Sequence, residues 1–396
     1  MSQNVFGNME EGRLVISLSG RIDTSNVEQV EKDIFSICEQ YPSAKAVLNA
    51  KDLKYISSAG LRVLLKLRKQ QGALQIEEVS SEIYEILEMT GFTEMMQVTK
   101  AFRHISLEGC EVIGRGGSAA VYRIDGDTII KAYDKNISLK DIERERDFSR
   151  KAFVSGIPTA IPYDVVKCGE CYGLVYELIG ADTLASHIRR EPEKFDEYMD
   201  KYTGLVKTLH QTHMESGALL DIKKLFCDRI HWMGEYLTEE ERSQVLGLIN
   251  LIPDRDTVIH GDLHTKNIMI QNGEAILIDM ADIGTGHPIF DLLGIYLVLM
   301  KTDSVYAEKI GGLPQDVSRR AWDAFIQRYY GGIDEEKKKN VEAVCDVLAD
   351  VKKLTTPLII GDCPADYLKK IVSDSSSHLF PTMDENMRLV ADFFKE

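Results

Sequence analysis

Residues 260–267 read HGDLHTKN, and 12 positions beyond the Asn of that stretch a second acidic residue, Asp279, closes the apolar run AILI. Together they outline a phosphoryl-transfer site. Moving a phosphoryl group needs a carboxylate that orients and deprotonates the attacking hydroxyl, and hard oxygen ligands that hold Mg²⁺ against nucleotide phosphates. Asp262 suits the first task. Asn267 lies five residues further along the same loop, so its amide oxygen can ligate a metal while Asp262 faces the acceptor. Asp279, leaving a buried strand, supplies the charged ligand, and His260 packs and orients the loop. Taken separately, His-Gly-Asp could be a polar turn and Asp279 a strand-end cap. Four residues in register, with a strand behind the last, favour the chemical reading.

On these residues the chain resembles the aminoglycoside phosphotransferase and choline kinase family, whose HxDxxxxN loop and later metal-binding Asp match His260, Asp262, Asn267 and Asp279. The resemblance covers residues 107–396 and implies a two-lobed, protein-kinase-like α+β domain, with an N lobe at 107–180 and a C lobe at 181–396. It implies ATP or GTP as donor, Mg²⁺ as cofactor, and catalytic roles for Asp262 and His260. Gly261 stands where protein kinases carry the Arg of HRD, and Met280-Ala281 replace the Phe-Gly of DFG. Both departures lean towards small-molecule acceptors.

Upstream, EVIGRGGSAAVYRIDGDTIIKAY over 111–133 reads as strand, glycine turn, strand, turn, strand. Gly114, Gly116 and Gly117 let backbone approach phosphates, and Ser118 adds a hydroxyl. Such a turn alone is usually a hairpin tip. Lys131 in the third strand raises its significance, because an ammonium there can reach the α and β phosphates. An unpaired inward Lys is costly, so a carboxylate is expected on the following helix, where IERERDFSRKAF offers Glu143 and Glu145. Glu145, 11 residues before Gly156, is preferred because this resembles the family spacing. GLVYELIGADTL then resembles the hinge between kinase lobes, with backbone groups near Glu177 to Ile179 binding adenine. Downstream, Asp291 precedes an apolar helix. It can be the helix N-cap, and in the family an Asp at this position also braces the catalytic loop; the two roles are compatible.

The first hundred residues are a different unit. GRLVISLSG alternates as a strand, and DTSNVEQVEKDIFSICEQ places Val27, Val30, Ile34 and Ile37 at helical spacing behind an Asp/Thr start. AVLNA and LQIEEV add strands, and Leu61, Leu64 and Leu65 mark one face of a helix just after Ser57 and Ser58. This alternation suits one small α/β domain. LSGRIDTSN, YISSAGLRVLL and EILEMTGF, in that order, resemble the STAS domain shared by anti-sigma factor antagonists and sulfate transporter tails, over residues 1–106. In the antagonists a regulatory phosphoserine directly precedes the Gly that here is Gly60, but Ala59 holds that place. A phosphate on Ser57 or Ser58 would still sit at a helix N-terminus, where free N–H groups favour anions. Both serines can equally serve as helix caps.

The chain's 396 residues suit two folded domains. No uninterrupted apolar run reaches membrane-spanning length, and the start MSQNVFGNMEEG lacks the features of a signal peptide, so no membrane role and a cytoplasmic location are expected. Seven scattered Cys argue for reduced thiols, and Cys168-Gly-Glu-Cys171 reads as a hairpin turn rather than a zinc or redox site. A net charge of −16 opposes nucleic-acid binding. Residues 1–105 hold 12 basic and 14 acidic residues, leaving 35 and 49 for the rest, an excess that would attract a cationic acceptor such as an amino sugar or choline. The leading expectation is an ATP-dependent phosphotransferase acting on a hydroxyl of a small molecule, coupled to a STAS-like regulatory or partner-binding domain. The alternatives are an anti-sigma factor antagonist-type signalling protein whose kinase half acts on protein, and a pseudokinase that only binds nucleotide. Intact Lys131, Asp262, Asn267 and Asp279 weigh against the last.

Overall fold

In a computed structural model of the chain, the described residues are 4–10, 12–180, 182–302, 304–359 and 364–395. They divide into two compact units, Met1–Ile105 and Ser106–Glu396. Among the described residues no helix is long and apolar enough to cross a membrane.

The first unit is a five-stranded sheet whose strands lie in chain order. Val5–Glu10 pairs antiparallel with Arg13–Ile22, and Ala46–Ile56, Gln75–Val79 and Gln97–Lys100 follow in parallel. Parallel neighbours need crossover connections, which the helices Val27–Gln40, Ser58–Gln71 and Ser81–Met89 provide. The first helix buries Val30, Ile34 and Cys38, while Ile37 stays partly exposed. Its expected Asp/Thr start is not a cap: Asn26 occupies the N-cap position without a side-chain cap bond, because its amide oxygen accepts instead from the Asp23 N–H. Ser57 does cap the second helix, its hydroxyl accepting from the Gly60 N–H at 3.3 Å, whereas Ser58 is the first helical residue and is exposed. Gly60 is needed by packing: a Cβ there would lie 2.7 Å from Ile56 and 2.9 Å from Ile22.

The second unit begins with antiparallel strands. Their spatial order is Pro162–Cys168, Cys171–Glu177, Thr128–Tyr133, Ala119–Arg123, Glu111–Arg115. The helix Leu139–Val154 carries Glu145 to a buried position. Cys168 and Cys171 face each other across a turn in which Gly169 has φ 63°, as a tight hairpin requires, and the six described cysteines are free. From Leu184 onward the unit is mainly helical around a core that includes Tyr202, Phe290, Trp322 and Phe325. Short strands within this part carry the HGDLHTKN loop: Val258–Ile259 leads into it, and the hairpin Ile268–Gln271/Glu274–Leu277 leads out. The chain is thus an α/β sheet unit followed by a two-lobed α+β unit.

Gly60→Ala should destabilise the first unit by about 1–3 kcal/mol through overpacking against Ile56 and Ile22. Denaturant unfolding followed on this unit's transition checks it; an unchanged midpoint would mean that the start of the Ser58 helix tolerates displacement.

Candidate active site

The loop is shaped first by its own backbone. The Ile278 N–H donates to the Asn267 carbonyl at 3.0 Å, which closes the strand hairpin back onto the loop. His260 Nε2 meets the Ile278 carbonyl at 3.1 Å, and the Asp262 N–H donates to His260 Nδ1 at 3.3 Å. A carbonyl only accepts and an amide N–H only donates, so the two bonds select the neutral Nε2–H tautomer. His260 is fully buried and therefore orients the loop from within. Asn267 turns its amide nitrogen towards Asp262, donating to the backbone carbonyl at 2.9 Å and to Oδ2 at 3.4 Å. Its amide oxygen has no hydrogen bond among the described residues, the state expected of an oxygen kept for a cation.

Asp262 keeps half its side chain, 51%, accessible. Partial burial pushes its pKa up. The His264 imidazole, whose Nε2 lies 3.6 Å from Oδ2, outweighs this together with Lys352, and holds the carboxyl well below the usual range. The group is ionised wherever the protein is folded near neutral pH.

Gly261 makes the turn between His260 and Asp262. Its φ is +83°, and a Cβ there would approach the Asp282 carbonyl oxygen to 2.6 Å, so conformation and space both require glycine. Asp291 holds this turn. The helix it was expected to cap begins at Ile289 after Pro288, so Asp291 lies inside the first turn and is not the N-cap. Its Oδ2 accepts from the His260 N–H at 2.9 Å and its Oδ1 from the Gly261 N–H at 2.8 Å. His210, itself bonded to the Tyr329 hydroxyl at 2.8 Å, reaches Oδ2 at 3.1 Å. Complete burial would raise the Asp291 pKa, but these partners lower it.

A second cluster assembles around Lys131. Its ammonium donates to Glu145 Oε1 at 2.8 Å and to Asp279 Oδ1 at 2.7 Å, joining residues 148 positions apart. The Tyr176 hydroxyl donates to the same Glu145 oxygen at 3.0 Å. Burial alone would depress the lysine, yet the two carboxylates hold it above its usual value, and Lys131 in turn holds Asp279 below its own. Asp279 has φ 62°, a left-handed conformation rare outside glycine that costs about 1–3 kcal/mol and is characteristic of functional positions. Asp262 and Asp279 also feel each other's charge. Asn267 and Asp279 are hard oxygen donors suited to Mg²⁺, which takes few protein ligands and completes its shell with phosphate and water. Among the described residues no group of three or more His, Cys, Asp or Glu could hold a metal ion by itself.

Gly114, Gly116 and Gly117 have φ values open to any residue, and Gly117 has nothing within 4 Å of a would-be Cβ. Their missing side chains thus leave room above the hairpin, beside the exposed Ser118. Glu177 is not directed at a ligand: its carboxylate accepts from the Ile161 N–H at 2.8 Å, and Ile179 is buried. Ser57 and Ser58 belong to the first unit.

A family model for the phosphotransferase enzyme family matches residues 109–337. The chain belongs to that family. Residues 8–106 match the STAS domain. Over 95 residues, 23% of this chain and 81% of the relative, the phosphotransferase is 34% identical to the putative anti-sigma factor antagonist BtrV of Bordetella bronchiseptica. It is 28% identical over 91 residues to the anti-sigma F factor antagonist of Paenibacillus polymyxa, covering 22% and 78% of the two chains. Among solved structures it is similar to a gentamicin complex of APH(2")-IIa (15% identity, 78% and 98% of the chains, TM-score 0.48). It is also similar to a choline/ethanolamine kinase family protein from Mesorhizobium loti (16% identity, 71% and 92%, TM-score 0.46).

The sequence reading left out four residues that the geometry brings in: His264, Lys352, His210 and Tyr176. His264 lies inside the quoted motif and could have been found there. The other three reach the site from separate elements, and no local pattern marks them.

Gly261→Ala should lower turnover by roughly 10²-fold, the scale of a misplacement of about 1 Å, while leaving nucleotide affinity nearly intact. Steady-state kinetics beside calorimetric nucleotide binding checks this; normal turnover would mean that the turn can relax without moving Asp262.

Proposed function

We propose that this phosphotransferase moves the γ-phosphoryl group of ATP, or of GTP, to a hydroxyl of a small molecule. The observation that carries the reading is the Lys131 ammonium held between Glu145 and Asp279 while Asp262 and Asn267 share the neighbouring loop. In this reading Asp262 accepts the hydroxyl proton of the acceptor, and its depressed pKa keeps it ionised to orient that hydroxyl. His260 positions Asp262 through its backbone bond. Lys131 meets the α and β phosphates, Glu145 keeps it in place, and Gly114, Gly116, Gly117 and Ser118 lie over the phosphates. Backbone groups from Glu177 to Ile179 receive the base. Mg²⁺, held by Asn267 and Asp279, would neutralise charge on the phosphates. The acidic excess of residues 106–396 favours a cationic acceptor. Six free cysteines and the need for a nucleotide pool suit the cytoplasm.

Asp262→Asn should leave nucleotide binding largely intact and lower turnover by roughly 10²–10⁴, the contribution of a general base. Asp279→Ala should instead weaken Mg²⁺-dependent nucleotide binding, since it deletes a charged ligand. Turnover screened against amino sugars, amino alcohols and nucleosides, with calorimetry of Mg·ATP, tests both. Near-normal turnover in the first variant removes Asp262 from the chemistry, and unchanged Mg·ATP affinity in the second removes the metal site.

For the STAS domain we propose a protein partner, regulated at the start of the Ser58 helix. Ser58 is exposed at a helix N-terminus, and a phosphate there adds nearly two charges where backbone N–H groups can meet them. Phosphosite mapping by mass spectrometry after incubation with Mg·ATP should find phosphate on Ser58 and lose it in Ser58→Ala. A chain unmodified at both Ser57 and Ser58 argues for a binding module without a switch.

A further inference from the structure

Lys352 lies in the helix Glu335–Leu354, beyond residue 337 where the family match ends. Its ammonium donates to the carbonyl oxygen of Gly261 at 2.8 Å. No carboxylate among the described residues lies within ion-pair distance of it, although the chain has 63 acidic residues, and its neighbours on the same helix are paired: Lys353 with Asp350, and Asp350 with Lys301. A half-buried lysine held on a single neutral carbonyl keeps two N–H donors and an uncompensated charge. Room for it is reserved in the facing helix Ile289–Tyr296, where a Cβ on Gly294 would come within 3.3 Å of the Lys352 Nζ.

The consequence lies at Gly261. Its N–H is held by Asp291 Oδ1 at 2.8 Å and its C=O by Lys352 Nζ at 2.8 Å, so a residue with φ +83° is fixed from both sides by opposite charges on two helices. Asp262 is the next residue. The two peptide groups that flank Gly261 are each held by a charged side chain, so neither can rotate to relieve the left-handed turn, and the second of them, Gly261–Asp262, sets the direction in which the Asp262 side chain leaves the chain.

We propose that Lys352 is a positioning residue for phosphoryl transfer, fixing the Gly261–Asp262 turn from a C-terminal helix and setting its positive charge beside the base. This rests on the reading of Asp262 given above. The positive charge that protein kinases place in the catalytic loop itself, at the Arg of HRD, is absent at Gly261; here a cation reaches the carbonyl of that residue from elsewhere in the chain.

The test compares Lys352→Met, Lys352→Arg, Asp262→Asn and the Lys352→Met/Asp262→Asn double variant of the full chain. Hydrolysis of Mg·ATP with water as acceptor, calorimetric Mg·ATP affinity, thermal midpoint and amide hydrogen exchange across residues 260–267 are measured. Lys352→Met should lower kcat roughly 10- to 100-fold with nucleotide affinity and thermal midpoint little changed. Exchange in the loop should speed up roughly tenfold as the charged hydrogen bond is lost. Lys352→Arg should recover most of both losses. In the Asp262→Asn background the same substitution should have almost no further effect on kcat, because the two residues act as one unit. Unchanged loop exchange in Lys352→Met, or a kcat loss that simply multiplies with that of Asp262→Asn, overturns the proposal. If Asp262→Asn itself hydrolyses Mg·ATP at the wild-type rate while Lys352→Met loosens the loop, it is the assignment of Asp262 that fails, and the clamp remains as architecture alone.

Discussion

A buried carboxylate, Asp291, is the constraint on which the active-site geometry depends. Both of its oxygens are engaged by the backbone of the catalytic loop, and His210 supplies a third contact. Burying an ionised carboxylate is costly unless its lone pairs are met by donors, and here two backbone N–H groups and an imidazole meet them. The loop gains rigidity where it most needs it, at the left-handed Gly261. The order of dependence runs from Asp291 to Gly261 to Asp262, whose side chain is aimed by groups behind the loop.

The second constraint is charge balance at Lys131. One ammonium meets Glu145 from the helix after the strands and Asp279 from the far side of the catalytic loop. The ion pairs join strand, helix and loop across 14 and 148 positions of the chain. Asp279 holds a strained backbone angle to take part. Such strain persists only where surrounding structure over-determines it, and the hairpin Ile268–Gln271/Glu274–Leu277 behind the loop supplies that support.

The first unit follows a different logic. Its sheet is held by parallel pairing through crossover helices, and the helix starting at Ser58 is seated through Gly60, where no side chain fits against Ile22 and Ile56. Close seating fixes where the exposed Ser58 stands. Ser57 is occupied as the cap, so the two adjacent serines differ in chemistry although they are identical in type.

The sequence by itself determined what depends on local order: alternation at 128–133 made a strand with Lys131 on it, apolar spacing made the helix that buries Val30 and Ile34, and HGDLHTKN with Asp279 named the chemistry. It also narrowed the partner of Lys131 to Glu143 or Glu145, and helical geometry turned Glu145 inward. Tertiary structure alone decided the rest. For Asp291 two compatible roles stood open, helix N-cap and brace of the HGDLHTKN loop; the fold sets it inside the first turn, where its carboxylate holds a loop 30 residues away. Asn26 displaced the expected cap of its helix because its amide was already engaged with Asp23. Lys352 and Tyr176 carry no local pattern, since a hydrogen bond to a backbone carbonyl or to a distant carboxylate leaves no periodicity in the chain. Periodicity records which face of an element is buried; which buried groups then meet is fixed only when the elements pack.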